Sequence, residues 1–307
     1  MPASCHARAN HQPADDAEWP GRRSLRIGRT RPSPTAPPCV AASRDGLFRT
    51  TMRRLLFSLL PKVALSRMCG AVCAIPLPGF ARTPLFRWFA RRYGVQLVEV
   101  DGELDDYRSL QAFFRRALRS GARPVDAAPL VWPCDGKIVT TGVIRNGRLL
   151  QVKGKDYGLA DLLGDTDLAQ ALEGGSQATI YLAPGDYHRV HLPFAAVIET
   201  VRYLPGTLFP VNPPAVGCIP RLFARNSRHV FRCTLPTGAS AAVVMVGAYN
   251  VGGTTVTVDH GMVAAGQEIG RFGFGSTVVV VIGPTGPAFA DRAPENVVRM
   301  GLAADGS

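Results

Sequence analysis

Asp135, His191 and Ser276 lie far apart in this 307-residue chain, yet together they supply an acid, an imidazole and a hydroxyl. Those are the parts of an activated serine: the carboxylate orients the imidazole, and the imidazole takes the hydroxyl proton. Ser276 sits in G-F-G-S-T rather than G-x-S-x-G, so its context is not that of a hydrolase nucleophile elbow. It follows a glycine and opens the β-branched run Thr277 to Ile282, which reads as a buried strand. That placement suits attack by Ser276 on the carbonyl of its own preceding residue. Gly275 has no side chain to block the approach and tolerates a strained backbone. On these residues alone a plain strand opening is the better reading, with glycine for the turn and serine for a local backbone hydrogen bond.

A second chemistry is open to His188 and His191, two of only six histidines, in YLAPGDYHRVHLP. With Asp135 they could hold a metal in a hydrolase. The surrounding β-branched residues and Pro184-Gly185 argue strand, however, and strand positions three apart point to opposite faces. Asp135 itself lies in WPCDGKIV, where Asp-Gly also makes an ordinary turn into a strand.

The elements that must position these residues are mostly short strands. Lys137 to Ile144, Ala178 to Leu182, His188 to His191, Val197 to Leu204, His229 to Leu235, Ala241 to Val246, Thr254 to Val258 and Thr277 to Ile282 are separated by Gly, Pro, Asn and Asp turns. The 32 glycines and 25 prolines fit such a turn-rich body. The N-terminal part reads differently. Residues 1–51 are rich in Pro, Arg, Ser and Ala without apolar period, which predicts disorder, and Met52 opens a more ordinary start. From Met52 to Tyr93, Arg, Lys and Pro interrupt every apolar run before it reaches spanning length. TPLFRWFARRYG predicts a helix with Thr83 as N-cap, Pro84 in the first turn and Gly94 after the end. Leu85, Trp88 and Phe89 share one face of it, fitting either a membrane interface or the domain's own core. A second helix is expected from Tyr107 to Ser120, with Leu110, Phe113, Phe114, Ala117 and Leu118 as its apolar stripe.

Charge and cysteines narrow the setting. Thirty-five Lys and Arg against 23 Asp and Glu give a net charge of +12, which favours an anionic partner. No nucleic-acid recognition motif accompanies it, and the basic residues crowd the apolar N-terminal region. Cys5, Cys39, Cys69, Cys73, Cys134, Cys218 and Cys233 are scattered with no C-x-x-C, which reads as a reducing compartment rather than a disulfide framework.

The combination PCDGKI, YLAPGDYHRVHLP, FPVN and GRFGFGSTVVVV, in that order, resembles the phosphatidylserine decarboxylases, pyruvoyl-dependent enzymes that mature by self-cleavage. PKVALSRMCG, FFRRALRSGARPVD and QVKGKDYGLADLLG extend the resemblance over about Leu55 to Pro284. It implies that Asp135, His191 and Ser276 form a self-processing triad and that cleavage falls between Gly275 and Ser276. Ser276 is thereby converted into a covalent pyruvoyl cofactor, with no metal required. The resemblance further implies that phosphatidylserine condenses with that group as a Schiff base and leaves as phosphatidylethanolamine. His188 is then the proton donor or carboxylate partner of this step. The implied partners are phosphatidylserine, an anionic membrane surface, the two associated chains of one precursor and a second copy in a homo-oligomer, a dimer, and no nucleic acid. The implied location is peripheral, on the cytoplasmic face of the cell membrane, and it tilts the Leu85, Trp88 and Phe89 face toward the bilayer.

The expected architecture is α+β, a β-rich catalytic body of antiparallel sheets in sandwich or barrel form with N-terminal amphipathic helices. Its boundaries are a disordered extension at 1–51, a helical membrane-associating region at 52–121, a catalytic domain at 122–288 and a flexible tail at 289–307. Two departures stand out: Phe274 where the family usually has leucine, and Ser227 where many members have glutamate. Two rivals are an unprocessed relative that binds lipid without turnover and the metal-dependent hydrolase above. A pyruvoyl enzyme for a soluble amino acid is a third, which the apolar basic N-terminus disfavours.

Overall fold

The computed structural model describes residues 62–151, 155–248, 253–273 and 275–306. The expected disorder of 1–51 and the Phe274 departure therefore lie outside the described residues.

Runs of Val, Ile and Ala separated by turn residues make the body a sheet structure. Its strands are β1 Gly136–Val143, β2 Arg148–Leu150, β3 Asp156–Gly158, β4 Ser176–Leu182, β5 Arg189–His191, β6 Ala196–Leu204 and β7 Arg228–Thr234. They continue as β8 Ser240–Val246, β9 Thr254–Val256, β10 Gly261–Val263, β11 Glu268–Phe272, β12 Ser276–Ile282 and β13 Val297–Val298. The large sheet runs β10-β6-β7-β8-β12-β4-β1-β13 and is antiparallel at every pairing. β12 lies inside it, between β4 and β8, and every one of its side chains is buried. A continuous β-branched run is what a strand buried on both faces needs.

Alternation sorts the side chains into two cores. Val278, Val280 and Ile282 pack with Ile180, Phe231, Val243 and Met245 in one cluster. That cluster is closed by the small sheet β5-β11-β9, which contributes Val190, Ile269 and Phe272. The approach is close at Gly270, where an added Cβ would stand 2.8 Å from the Met245 sulfur. Val279 and Val281 face the other cluster, with Val244 and Val246. There the cover comes from short helices, Leu159–Leu163, Thr166–Ala171, Pro213–Cys218 and Leu222–Arg225. The architecture is α+β, as expected.

The N-terminal helices are α1 Lys62–Ala74 and α2 Gly79–Tyr93. α2 begins at Gly79 rather than after Thr83, so Pro84 stands inside it, and Gly94 ends it in a left-handed conformation. Its buried face is Phe86, Phe89 and Ala90, packed on Phe113 and Phe114, with Phe86 stacked on Phe113 at 4.7 Å. Leu85 is only half-buried, and Trp88 points outward. The expected face thus divides between core and surface. The helix expected from Tyr107 to Ser120 is shorter, α3 Leu110–Phe114, capped by the Ser109 side chain. Beyond it Leu118 bridges to Val100, so tertiary pairing overrides the helical stripe.

The segment after residue 288 is not a flexible tail. β13 pairs with β1 through Gly136↔Val298 and Lys137↔Val297. Phe289, Val298, Met300 and Ala304 are buried, and Ala304 N donates to Leu130 O at 2.9 Å. Its sequence lacks an alternating run because only two residues form a strand.

Candidate active site

Strand register collects the candidate residues at one end of the large sheet. Lys137, Tyr181, Thr277, Val246 and Arg228 form a row across β1, β4, β12, β8 and β7. One step toward the end stand Gly136, Leu182, Ser276, Gly247 and Ser227. Asp135 is one residue further. By alternation Ser276 points to the face carrying Val278 and Val280, toward the small sheet.

Ser276 is fully buried, and its Oγ has no hydrogen-bond partner among the described residues. An unpartnered buried hydroxyl costs about 1–3 kcal/mol, so a core position would favour alanine or valine. Gly275 before it has φ of +53°, in the left-handed region, and a Cβ there would meet nothing within 4 Å. The peptide bond between them is approachable and its backbone strained for any residue but glycine. Phe272 N donates to His188 O at 3.0 Å, so the small sheet reaches Phe272, close in sequence to the start of β12 at Ser276.

His188 precedes β5 and, by alternation with Val190, faces the large sheet, as Ser276 faces it in return. The Asp186 carbonyl, 2.8 Å from Nδ1, can only accept, which fixes the proton there and leaves Nε2 a bare lone pair. Nε2 is buried, without a partner among the described residues. Burial holds the ring neutral, with its pKa pushed down to about 3, and nearby Arg116 pushes the same way. The Phe114 ring covers it at 4.0 Å.

His191 lies on the opposite side of β5. Gly266 O fixes its Nδ1–H at 2.8 Å, and Nε2 meets the Tyr187 hydroxyl at 3.2 Å. Burial lowers its pKa, partly offset by the Gly266 carbonyl and by Glu268 and Asp135. The two imidazoles therefore do not share a face, and among the described residues no cluster of His, Cys, Asp or Glu is arranged to hold a metal ion.

Asp135 is not hydrogen-bonded to the His191 ring, whose nitrogens are engaged elsewhere. Arg123 grips it instead, with Nε 2.9 Å from Oδ1 and Nη2 2.6 Å from Oδ2. Met300 N donates to Oδ1 at 2.9 Å. Arg123 also binds Glu99, which Arg299 pairs in turn. The orienting role expected of Asp135 thus falls to Gly266, and Asp135 acts on His191 as a nearby negative charge.

Sequence reasoning did not single out Arg123, Arg116, Asp186 or Tyr187, although all four stand in the quoted motifs. Arg116, almost fully buried, donates through Nη2 to Gly185 O and Asp186 O at 2.8 and 3.0 Å. It thereby fixes the carbonyl that orients His188. Asp186 Oδ2 accepts from Ala183 N at 2.7 Å, tightening the same loop. A cavity of about 160 Å³ opens among Arg116, Arg123, Asp135, Asp186 and Tyr187. A larger one, about 520 Å³, lies over Ser227, His229 and Gly247.

The sequence that builds this site has close relatives among known proteins. A sequence profile of the family described as phosphatidylserine decarboxylase matches residues 110–304. The chain belongs to the phosphatidylserine decarboxylase family, a family of carboxy-lyases. A phosphatidylserine decarboxylase proenzyme of Anaeromyxobacter sp. (strain K) is 42% identical over 280 residues, covering 84% of this chain and 97% of the relative. The proenzyme of Ectopseudomonas mendocina (strain ymp) is 40% identical over 271 residues, with 79% and 93% covered. That of Dechloromonas aromatica (strain RCB) is 36% identical over 266 residues, again with 79% and 93% covered.

Proposed function

We propose that this chain cuts itself between Gly275 and Ser276 and, so matured, decarboxylates phosphatidylserine at a membrane surface. The observation that carries the proposal is the buried, unpartnered Ser276 Oγ beside a left-handed Gly275 with open space around it. A proenzyme is also what the relatives are named.

In the cleavage Ser276 Oγ adds to the Gly275 carbonyl carbon, the C–N bond breaks, and the freed nitrogen of residue 276 takes a proton. The resulting ester loses the Cα proton of residue 276 to a base. The Cβ–Oγ bond then breaks, and Gly275 departs as a carboxylate carrying that oxygen. The dehydroalanine left behind becomes an imine, and water replaces its nitrogen as ammonia. The product at position 276 is a pyruvoyl ketone, which supplies an electron sink for an amine substrate losing carbon dioxide.

The chain's own groups divide the proton work. We assign the cleavage to Asp135 and His191: Gly266 fixes the tautomer that leaves Nε2 basic, and Asp135, kept in place by Arg123, favours the imidazolium as it forms. For it to serve Ser276, the ring must leave the Tyr187 hydroxyl and turn past β5 to the face on which Ser276 stands. His188 belongs to the mature reaction. Its ring faces the sheet side on which residue 276 stands, where the bare Nε2 can take up a proton and pass it back, or accept a hydrogen bond from the substrate amine.

Membrane approach is supported by apolar side chains that the fold leaves outside. Met68, Val72 and Ile75 on or beside α1, with Phe80 and Trp88 on α2, are all more than half exposed, next to the basic Arg87, Arg91 and Arg92. Among the described residues no helix is long and apolar enough to cross a membrane, so these side chains would lie in the interface.

The test is an intact mass spectrum of the purified protein beside a Ser276→Ala variant. A wild-type split after Gly275, with a carbonyl-bearing small fragment and an uncut variant, supports the proposal. A folded wild-type chain that stays whole overturns it and favours a lipid-binding relative without turnover.

A further inference from the structure

The larger cavity is lined not by Ser276 but by Gly247, the residue beside it on the neighbouring strand. Ser276 opens β12 beside Gly247, the residue following β8, and Gly247 N donates to Ser227 O at 2.9 Å on the next strand. Gly247 and Ser227 line the cavity, as do Tyr203, His229 and Thr254. Alternation puts Tyr203, Ser227, His229 and Gly247 on the same sheet face as Ser276. The cavity's outer wall is α1, through Gly70, Ala71 and Ala74. Beyond it stand the exposed Met68, Val72 and Ile75.

We propose that this cavity seats the phosphodiester of the aminophospholipid headgroup, with His229 as its hydrogen-bond donor and α1 as the side from which the acyl chains leave. The inference rests on the decarboxylase reading for its anchor point at residue 276. In a serine phospholipid the amine and the phosphorus are separated by two carbons and an oxygen, a reach of roughly 5 Å. That is about the spacing of adjacent strands, about 4.8 Å, so an amine held at residue 276 puts the phosphorus over Gly247. At Gly247 an added Cβ would stand 3.3 Å from the Ser227 Oγ and 3.5 Å from Leu208 Cδ2, so a larger residue there would crowd that hydroxyl.

The lining suits an anion. Among the described residues lining the cavity, none carries an acidic side chain. Among the described residues His229 Nδ1 has no hydrogen-bond partner, and the Tyr203 ring flanks the imidazole at 5.0 Å. A half-turn about Cβ–Cγ exchanges Nδ1 and Cδ2, so a bound phosphodiester can claim that nitrogen. Ser227, Thr254 and Tyr203 add hydroxyls able to donate as well.

The test is calorimetric titration of the full-length Ser276→Ala chain with glycerophosphoserine, a soluble headgroup, and separately with inorganic phosphate. Binding to this uncut chain is read whether or not the wild type cleaves itself, so it fails or succeeds apart from the pyruvoyl reading. The expected result is glycerophosphoserine binding that His229→Leu weakens at least tenfold. Ala71→Phe, which fills the cavity from an exposed helix position and leaves the sheet untouched, should weaken it similarly. No binding by the parent, or parental affinity in both variants, overturns the site. Inorganic phosphate binding as tightly as glycerophosphoserine makes it a free-anion site and overturns the headgroup assignment.

Discussion

Arg123 Nη2 lies 2.6 Å from Asp135 Oδ2, and this contact, rather than one to His191, is what holds the carboxylate at the end of the sheet. Both side chains are nearly buried, at 8% and 11% exposure, so removing the cation strands a charge with little water to solvate it. Breaking such a pair costs about 3–5 kcal/mol. Arg123→Ala should therefore lower the urea midpoint markedly and slow self-cleavage. Asp135→Asn, which keeps shape and loses charge, should slow cleavage with a smaller loss of stability. Equal stability of Arg123→Ala and wild type would show that the pair is not structural.

The two histidines separate cleanly in their expected phenotypes. His191→Ala should remain uncut by denaturing gel, because it removes the base assigned to Ser276. His188→Ala should be cut but turn over phosphatidylserine at least a hundredfold more slowly, the lower range for loss of a positioned acid or base. The reverse pattern, an uncut His188→Ala beside a processed His191→Ala, would falsify the division of roles. It would make the shared face of His188 and Ser276 the decisive geometry.

Acid should destabilise the folded chain before its carboxylates titrate. His188 has a folded pKa of about 3 because it is buried, while an unfolded histidine takes its proton near about 6.5. Above that unfolded value the ring is neutral in both states and contributes no slope. Below it the unfolded chain binds a proton that the folded chain refuses, and stability falls by about 1.4 kcal/mol per pH unit for each such group. His191 is shifted in the same direction and adds to the loss. Asp186, whose carboxyl burial raises, opposes them toward the acid end by binding its proton first in the folded state. Urea unfolding of wild type and His188→Gln between about pH 6.5 and 5 isolates the term, since the variant should lose one proton's worth of slope. Parallel curves would mean that His188 is not the neutral buried ring described.

What was legible in the sequence follows the reach of each signal. Alternation and β-branched runs located eight strands, and β12 most securely, because six consecutive β-branched residues suit only a strand buried on both sides. The same rule separated His188 from His191 before any coordinates. Short pairings escaped. β13 holds two residues, so residues 289–307 read as a tail although Val297 and Val298 close the Asp135 end of the sheet. Helical periodicity over Tyr107 to Ser120 was real only as far as Phe114, since Leu118 gains more by bridging to Val100. Arg123 could not be chosen from a chain with so many arginines, because its partner lies twelve residues away across a turn. The tautomers of both imidazoles rest on the carbonyls of Asp186 and Gly266, and main-chain acceptors leave no trace in residue type.

The exposed apolar patch makes the last prediction. Phe80 is 86% and Trp88 58% exposed on a helix whose other face is packed on Phe113 and Phe114. Substitutions at such positions, away from core and caps, usually change stability by less than about 0.5 kcal/mol. Phe80→Asp with Trp88→Asp should therefore leave the unfolding midpoint and self-cleavage close to wild type. The pair removes two interfacial anchors and adds two negative charges toward an anionic surface, so sedimentation with phosphatidylserine-containing vesicles should fall steeply. Turnover of vesicle-borne substrate should drop with it, while turnover of short-chain substrate in neutral micelles is retained. Undiminished vesicle binding by the double variant would move the docking surface elsewhere and leave α2 with a structural role only.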